Sequence, residues 1–186
     1  GEIQTMAKAG VHRLWWMQRS DGSIPYWRGG SPDAWLTLRT AIVAMEAQEQ
    51  GVELPPGFLE GLLRHTEVIA RPKSGRSDNI MAAYACRVLA RAHTPDEALM
   101  AALASTASSL DLTSRSHLAD AYFANGNLEE ARRIIDTFTA PAQRLPSDSG
   151  RFTSGVHQAA VAMGVLVRNQ PKHPMIVEYA RFINNS

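Results

Sequence analysis

Hydrophobic positions recur at helical spacing along nearly the whole chain, and alternating β-branched runs are missing. The pattern predicts a first helix over about 2–19, with Ile3, Met6, Gly10, Leu14 and Met17 on its buried side. "SDGSIPYWRGG" then breaks it. Ser31-Pro32-Asp33 reads as a helix start, with Ser31 capping, Pro32 in the first turn and Asp33 complementing the dipole. The helix that follows, to Gln50, is apolar on most of its surface through Trp35, Leu36, Leu38, Ile42, Val43 and Met45. Gly51 ends it in the left-handed conformation.

A one-sided helix over about 56–70 buries Phe58, Leu59, Leu62, Leu63 and Ile69 and turns Glu60, Arg64 and Glu67 outward. After the polar loop "RPKSGRSD", residues 78–93 are again apolar nearly all round. Thr94-Pro95-Asp96-Glu97 starts another one-sided helix, to about Ser108. Helices over 113–125 and 127–139 form a close pair turning at Gly126. The loop "APAQRLPSDSGR" separates them from a helix over 153–168, apolar on most faces, and a last one over 174–184. Helices apolar all round tend to alternate with one-sided ones, and the former must be covered on both sides. The pattern predicts an all-α fold: an arc of inner and outer helical hairpins, an α/α toroid or solenoid.

Composition narrows the classes. The 186 residues fit one domain or a piece of one. A net charge of +1, with the arginines scattered, speaks against nucleic acid and anionic membrane as partners. No apolar run approaches the ~20 residues of a membrane span, so no direct membrane insertion is expected. The single cysteine, Cys86, allows no internal disulfide and no cysteine-based metal site. The chain opens "GEIQTMAKAG", without an initiator Met or a leader pattern, and Gly1 is of the kind a cleaved tag leaves. We read an excised fragment, in which a missing leader says nothing about compartment.

No GxSxG, P-loop or HExxH occurs. His12, His65, His93, His117, His157 and His173 lie far apart and read as surface or cap residues rather than ligands. Cys86 sits mid-helix on an apolar stretch, with Arg87 pointing about 100° away, and reads as a buried structural thiol. "LADAYFANGNLEEARRIID" resembles one tetratricopeptide hairpin, with Ala121 and Ala131 at the crossing, but no second period-matched unit accompanies it. Trp15, Trp16, Trp27 and Trp35 all fall near the first loop and read as core or hairpin clasp, with at most one of the adjacent pair facing the loop squarely. No catalytic residue, cofactor site or metal site is expected.

"MQRSDGSIPYW" resembles the Gln-x-x-Asp-Gly-[Ser/Gly]-x-x-x-Trp clasp of α/α-toroid proteins. In that reading Gln18 bonds free amides of the next helix, Asp21-Gly22 makes the tight turn and Trp27 packs over the join. The wider run from Val11 to Thr66, with "SPDAWLT" opening a helix, is similar to the bacterial alpha-2-macroglobulin pattern. "AAYACRVLARA", "LADAYFANGNLEEAR" and "LPSDSGRFTSGVHQAAVAMGVLV" keep the order of that family's elements. The resemblance implies that 1–186 is a single helical domain, a non-catalytic scaffold fragment of a larger thioester-type domain in a protease-trapping inhibitor of the periplasm or cell envelope. It implies other domains of the parent as partners, target proteases met through the parent, and an incomplete ring with an apolar edge prone to self-association. The family's Cys-x-Glu-Gln thioester motif does not occur in this chain, and Cys86 is not followed by Glu and Gln. Two other classes stay open. One is a toroid enzyme, terpene cyclase-like or polysaccharide lyase-like, for which Tyr26, Tyr84 and His117 are isolated candidates and no DxDD is present. The other is a tetratricopeptide-like peptide-binding adaptor.

Overall fold

The computed structural model describes residues 2–71, 76–139 and 154–186, with the side chains of Ile3, Arg76, Ser77 and Asp78 outside that description. The loop expected over 140–151 also lies outside it, as does most of the one before residue 76. The fold is all-α, and the described residues form two compact units, 1–73 and 74–186.

The first unit holds α1 (Glu2–Met17), α2 (Ala34–Glu49) and α3 (Phe58–Ala70), with α2 packed against both others. A minimal antiparallel ladder joins β1 (Ile24–Pro25) to β2 (Pro32–Asp33) within the first loop. This ladder moves the start of α2. The backbone is still extended at Asp33, so Asp33 rather than Ser31 is the cap, its carboxylate accepting from Leu36 N at 2.8 Å. Buried Thr37 secures the loop to α2: its hydroxyl donates to Asp33 O at 2.7 Å and accepts from Ile24 N at 2.9 Å. Gly51 ends the helix at φ 79°, as expected.

The buried side of α1 matches the expected one only in part. Leu14 and Met17 are half-buried as expected, but Met6 and Gly10 are exposed, and Ala7, Val11 and Gln18 turn inward in their place. Apolar spacing allowed either rotation; the polar Gln18 belongs to the buried line and decides it. An open apolar groove of about 400 Å³ runs beside this line, between Val11, Leu14 and Met17 of α1 and Val43 and Ala47 of α2.

The second unit holds α4 (Arg76–Arg91), α5 (Glu97–Ser105), α6 (Leu112–Ala124), α7 (Leu128–Ile135), α8 (Gly155–Asn169) and α9 (Met175–Asn184). Four of its helices start on a side-chain cap: Asp96, Asp111, Asn127 and Ser154 accept from the amides of Leu99, Ser114, Glu130 and His157. Capping by Asp96 again shifts a start two residues past the expected Thr94. Helix α6 packs against α4, α5, α7 and α8, and α9 packs against α8. The core runs through Cys86, Met100, Leu118, Ile134, Leu166 and Tyr179. Ala121 and Ala131 are fully buried where α6 meets α7, and Gly126 makes the turn at φ 78°.

One helix to which the apolar pattern assigned no layer is deeply covered, and one expected to be covered is partly bare. Helix α6 is buried on almost every side although it carries Thr113, Ser114, Ser116, His117 and Asp120. Helix α8, expected to be covered on most faces, leaves Val156 and Val167 exposed.

Candidate functional site

The first constellation is the clasp between α1 and α3. Gln18 lies just past the last turn of α1, and its Nε2 donates to Phe58 O at 3.0 Å and to Gly22 O at 3.1 Å. The expected partners were amides of the next helix. The actual partners are carbonyls, and the helix is α3, because Asp33 already serves the start of α2. Gly22 N donates to Arg19 O at 2.9 Å and Arg19 N to Ser23 O at 3.0 Å, which closes the turn with Gly22 at φ 87°. Asp21 Oδ1 accepts from both Ser23 N and Ser23 Oγ. Partial burial opposes ionisation, but the Ser23 hydrogen bonds, with His65 and Arg19, hold the Asp21 carboxyl below its ordinary range.

The backbones meet closely here. A Cβ on Gly22 would stand 2.0 Å from Gly61 O, and one on Gly61 would stand 2.7 Å from Gln18 Nε2. Trp27 does not cover this join. Its ring folds back on the following turn, where a Cβ on Gly30 would lie 3.0 Å from Nε1, and most of it faces solvent. Trp15 and Trp16 are exposed as well, so the core reading of the tryptophans fails for three of the four. As expected of neighbours on a helix, only one turns to the loop: Trp16 lies under Arg28, while Trp15 meets His12 edge-on.

Gln18→Ala removes one donor from two carbonyls, Phe58 O and Gly22 O. Leaving buried partners short of a bond costs about 1–3 kcal/mol. The unfolding midpoint in urea should fall accordingly; an unchanged midpoint would count against the clasp.

The second constellation lies in the middle of the second unit. Asp120 of α6 takes Arg87 Nε of α4 at 2.6 Å, an ionic contact off the N–H axis, and Arg168 Nη1 of α8 at 3.0 Å on the same oxygen. Its other oxygen accepts from Asn169 Nδ2 at 2.9 Å. Arg87 Nη1 lies 3.5 Å from His117 Nδ1, and His117 stacks on Tyr84 with ring centroids 4.2 Å apart. One carboxylate thus ties three helices together.

Tyr84 and His117, isolated in the sequence, come together here with Arg87, the Tyr, His and Arg set a toroid enzyme would use. All three are buried and Arg87 is committed to Asp120, so the trio forms packing rather than a substrate site. Tyr26 lies on the loop of the first unit, half exposed. His117 overturns the expectation that each histidine is a surface or cap residue: neutral, stacked and short of water, it fits the core. The cap reading does hold for His173, whose Nδ1 accepts from Met175 N at 3.3 Å. Cys86 is fully buried, and burial, with Asp96 nearby, pushes its thiol up to about 12, so it is no nucleophile at neutral pH. Among the described residues no cluster of His, Cys, Asp or Glu could hold a metal ion. No helix among them is long and apolar enough to cross a membrane.

Burial, with Arg87 and His157 nearby, holds His117 well below its ordinary value, and burial lowers His157. The sign follows directly. The unfolded chain takes up protons near pH 6.5 while the folded one resists, so stability is full above that range and declines as pH falls below it. Each histidine contributes a slope of at most about 1.4 kcal/mol per pH unit. Thermal melts should therefore hold nearly level down to about pH 7 and drop as pH falls below about 6.5, and His117→Gln should flatten that decline. A flat wild-type profile would remove this assignment.

No family model and no curated protein matches this chain. Solved structures do. Native alpha-2-macroglobulin from Escherichia coli, spanning domain MG7 to the C-terminus, superposes with a TM-score of 0.79 at 19% identity, over 98% of this chain and 30% of that one. The trypsin-activated E. coli protein gives 0.80 at 19% identity over 96% of this chain and 13% of the other. Salmonella alpha-2-macroglobulin reacted with methylamine gives 0.77 at 20% identity over 95% and 12%. These similarities establish a shared fold. The chain spans between 12% and 30% of the length of these structures.

Proposed function

We propose that this chain is part of the helical, α/α-toroid type of thioester domain of a bacterial alpha-2-macroglobulin-like protein. The observation that carries the reading is the superposition over 95–98% of the chain on E. coli and Salmonella alpha-2-macroglobulins. The clasp adds local support, since Gln18, Asp21 and Gly22 form one hydrogen-bonded unit against α3. Exposed Val156 and Val167 on α8 and Met6 on α1 fit edges that further helices would cover.

In this role the chain supplies scaffold and interdomain surface and performs no chemistry. The polar groups it gathers are spent on packing. Its parent would meet proteases outside the cytoplasm, in the periplasm or cell envelope, and hold them after cleavage of an exposed segment. Two of the similar structures are of trypsin-activated and elastase-activated protein, which fits such a trigger.

The test is trapping by the intact parent. Incubated with trypsin, it should compact in small-angle scattering, and the bound trypsin should cleave a small chromogenic peptide while losing activity on a large protein substrate. Full activity on both substrates, with no compaction, would refute the reading.

A further inference from the structure

The turn between α6 and α7 carries a reactive pair. Of the six asparagines in the chain, only Asn125 is followed by glycine. Asparagine is thermally labile because the next backbone nitrogen can attack its side-chain carbonyl. A glycine at that position has no Cβ to obstruct the approach. The surroundings are open as well: Asn125 and Gly126 are both exposed, and a Cβ on Gly126 would meet nothing within 4 Å.

The other asparagines are held or crowded. Asn169 Nδ2 donates to Asp120 Oδ1 and to Val165 O. Asn127 Oδ1 accepts from Glu130 N as the cap of α7. Asn79 and Asn184 lie within α4 and α9 and are followed by Ile80 and Asn185. Asn185 is followed by Ser186. The Asn125 amide makes only a long bond, Nδ2 donating to Glu97 Oε1 at 3.4 Å at the surface.

One restraint opposes the reaction. Asn125 ends α6 at ψ 0°, and Gly126 N donates to Phe123 O at 3.1 Å. That bond must open and Asn125 must rotate before the nitrogen reaches Cγ. Exposed bonds in the last turn of a helix open at the lowest free energy in a fold, so this restraint slows the attack without abolishing it.

We propose that Asn125 is a site of spontaneous modification, deamidating through a cyclic imide formed with Gly126 N. The nitrogen gives its proton to hydroxide and bonds to Asn125 Cγ. The Cγ–Nδ2 bond breaks, and ammonia leaves with a proton from water. Water then opens one or the other carbonyl of the imide, giving aspartate or isoaspartate. Net, one water is consumed and one ammonia released. Both products put a carboxylate at the C-terminal end of α6, where the helix dipole disfavours it, and opposite Glu97. Isoaspartate also adds a backbone atom to a turn that Asn127 N closes on Tyr122 O at 3.0 Å. The modification therefore loosens the corner where α5, α6 and α7 meet.

The experiment is to age the folded 186-residue chain in mildly alkaline buffer and map it by peptide mass spectrometry, with fragment ions assigning each change to a residue. Position 125 should gain about 1 Da, as aspartate and isoaspartate, several-fold faster than any other asparagine, and more slowly as hydroxide is lowered. Asn125→Gln should remove this early change. Modification of Asn127 or Asn169 ahead of Asn125 overturns the proposal. So does an intact Asn125 in the folded chain over a period in which the chain in guanidinium chloride deamidates there, because the turn then protects it. The effect on the corner is read separately. Asn125→Asp should lower the urea midpoint, and Glu97→Gln should restore part of the loss; an unchanged midpoint overturns that effect. The site depends on α5, α6 and α7 alone, so it stands or falls apart from the proposed function.

Discussion

Replacing Asp120 by alanine should destabilise the second unit by about 3–5 kcal/mol, the usual cost of breaking a buried ion pair by removing one partner. The penalty comes from what is left behind. Arg87 is buried, and burial already pulls its guanidinium below its ordinary range while Asp120 counters that pull. Without Asp120 the cation sits against His117, which burial keeps neutral, and no anion replaces the one removed. Arg168 is 46% exposed and swings into water at little cost, so Arg168→Ala should lose only about 0–1 kcal/mol. The asymmetry is the test. Urea unfolding followed by far-UV circular dichroism should rank Asp120→Ala far below Arg168→Ala. Equal losses, or a loss under about 1 kcal/mol for Asp120→Ala, would mean that the network does not hold α4, α6 and α8 together.

A paired replacement separates cost from purpose. Arg87→Met with Asp120→Leu removes both charges at once and keeps roughly the volume, and such swaps are often neutral or stabilising. If the double variant recovers the lost midpoint, the network is not what makes the unit stable. Its contribution is then to alignment, since Asp120 fixes α8 through both Arg168 and Asn169.

This network is also where the sequence was least informative. The existence and order of the helices follow from apolar periodicity, and their ends follow within a few residues once Asp33, Asp96 and Asn127 are recognised as caps. Periodicity could not find how deeply α6 is buried. Its inward residues include His117, Asp120 and Ser116, which look like a solvated face until partners are known. Ser116 bonds back to Leu112 O in its own helix, but the partners of His117 and Asp120 lie 30 to 49 residues away in sequence, on α4 and α8, and no local pattern encodes them. The clasp was better signalled, because Gln18, Asp21 and Gly22 are close in sequence and restricted in type. Its far half was hidden: nothing local marks Gly61 of α3 as the point of closest approach. The tryptophans misled for a physical reason. Large rings are ordinarily buried, so apolar periodicity reads Trp15, Trp16 and Trp27 as core although all three face solvent.

Gly22→Ala should destabilise the first unit by about 2–5 kcal/mol, the sum of two separable effects. The first is conformational: at φ 87° a residue with a Cβ pays roughly 1–2 kcal/mol. The second is the approach of α3. The new Cβ would stand 2.0 Å from Gly61 O, a backbone atom that cannot rotate away. The loop must lift off α3, and lifting it pulls Gln18 from Phe58 O. Gly29→Ala isolates the first effect, since Gly29 has φ 79° and nothing within 4 Å of the added carbon. All four tryptophans lie between positions 15 and 35, so tryptophan fluorescence during urea unfolding reports on this unit alone. Gly22→Ala should lose clearly more than Gly29→Ala, and Gln18→Ala should cost little further in the Gly22→Ala background, because the bond it removes is already broken. Equal losses for the two glycines, or full additivity with Gln18→Ala, would mean that the turn and α3 are not in contact as the clasp requires.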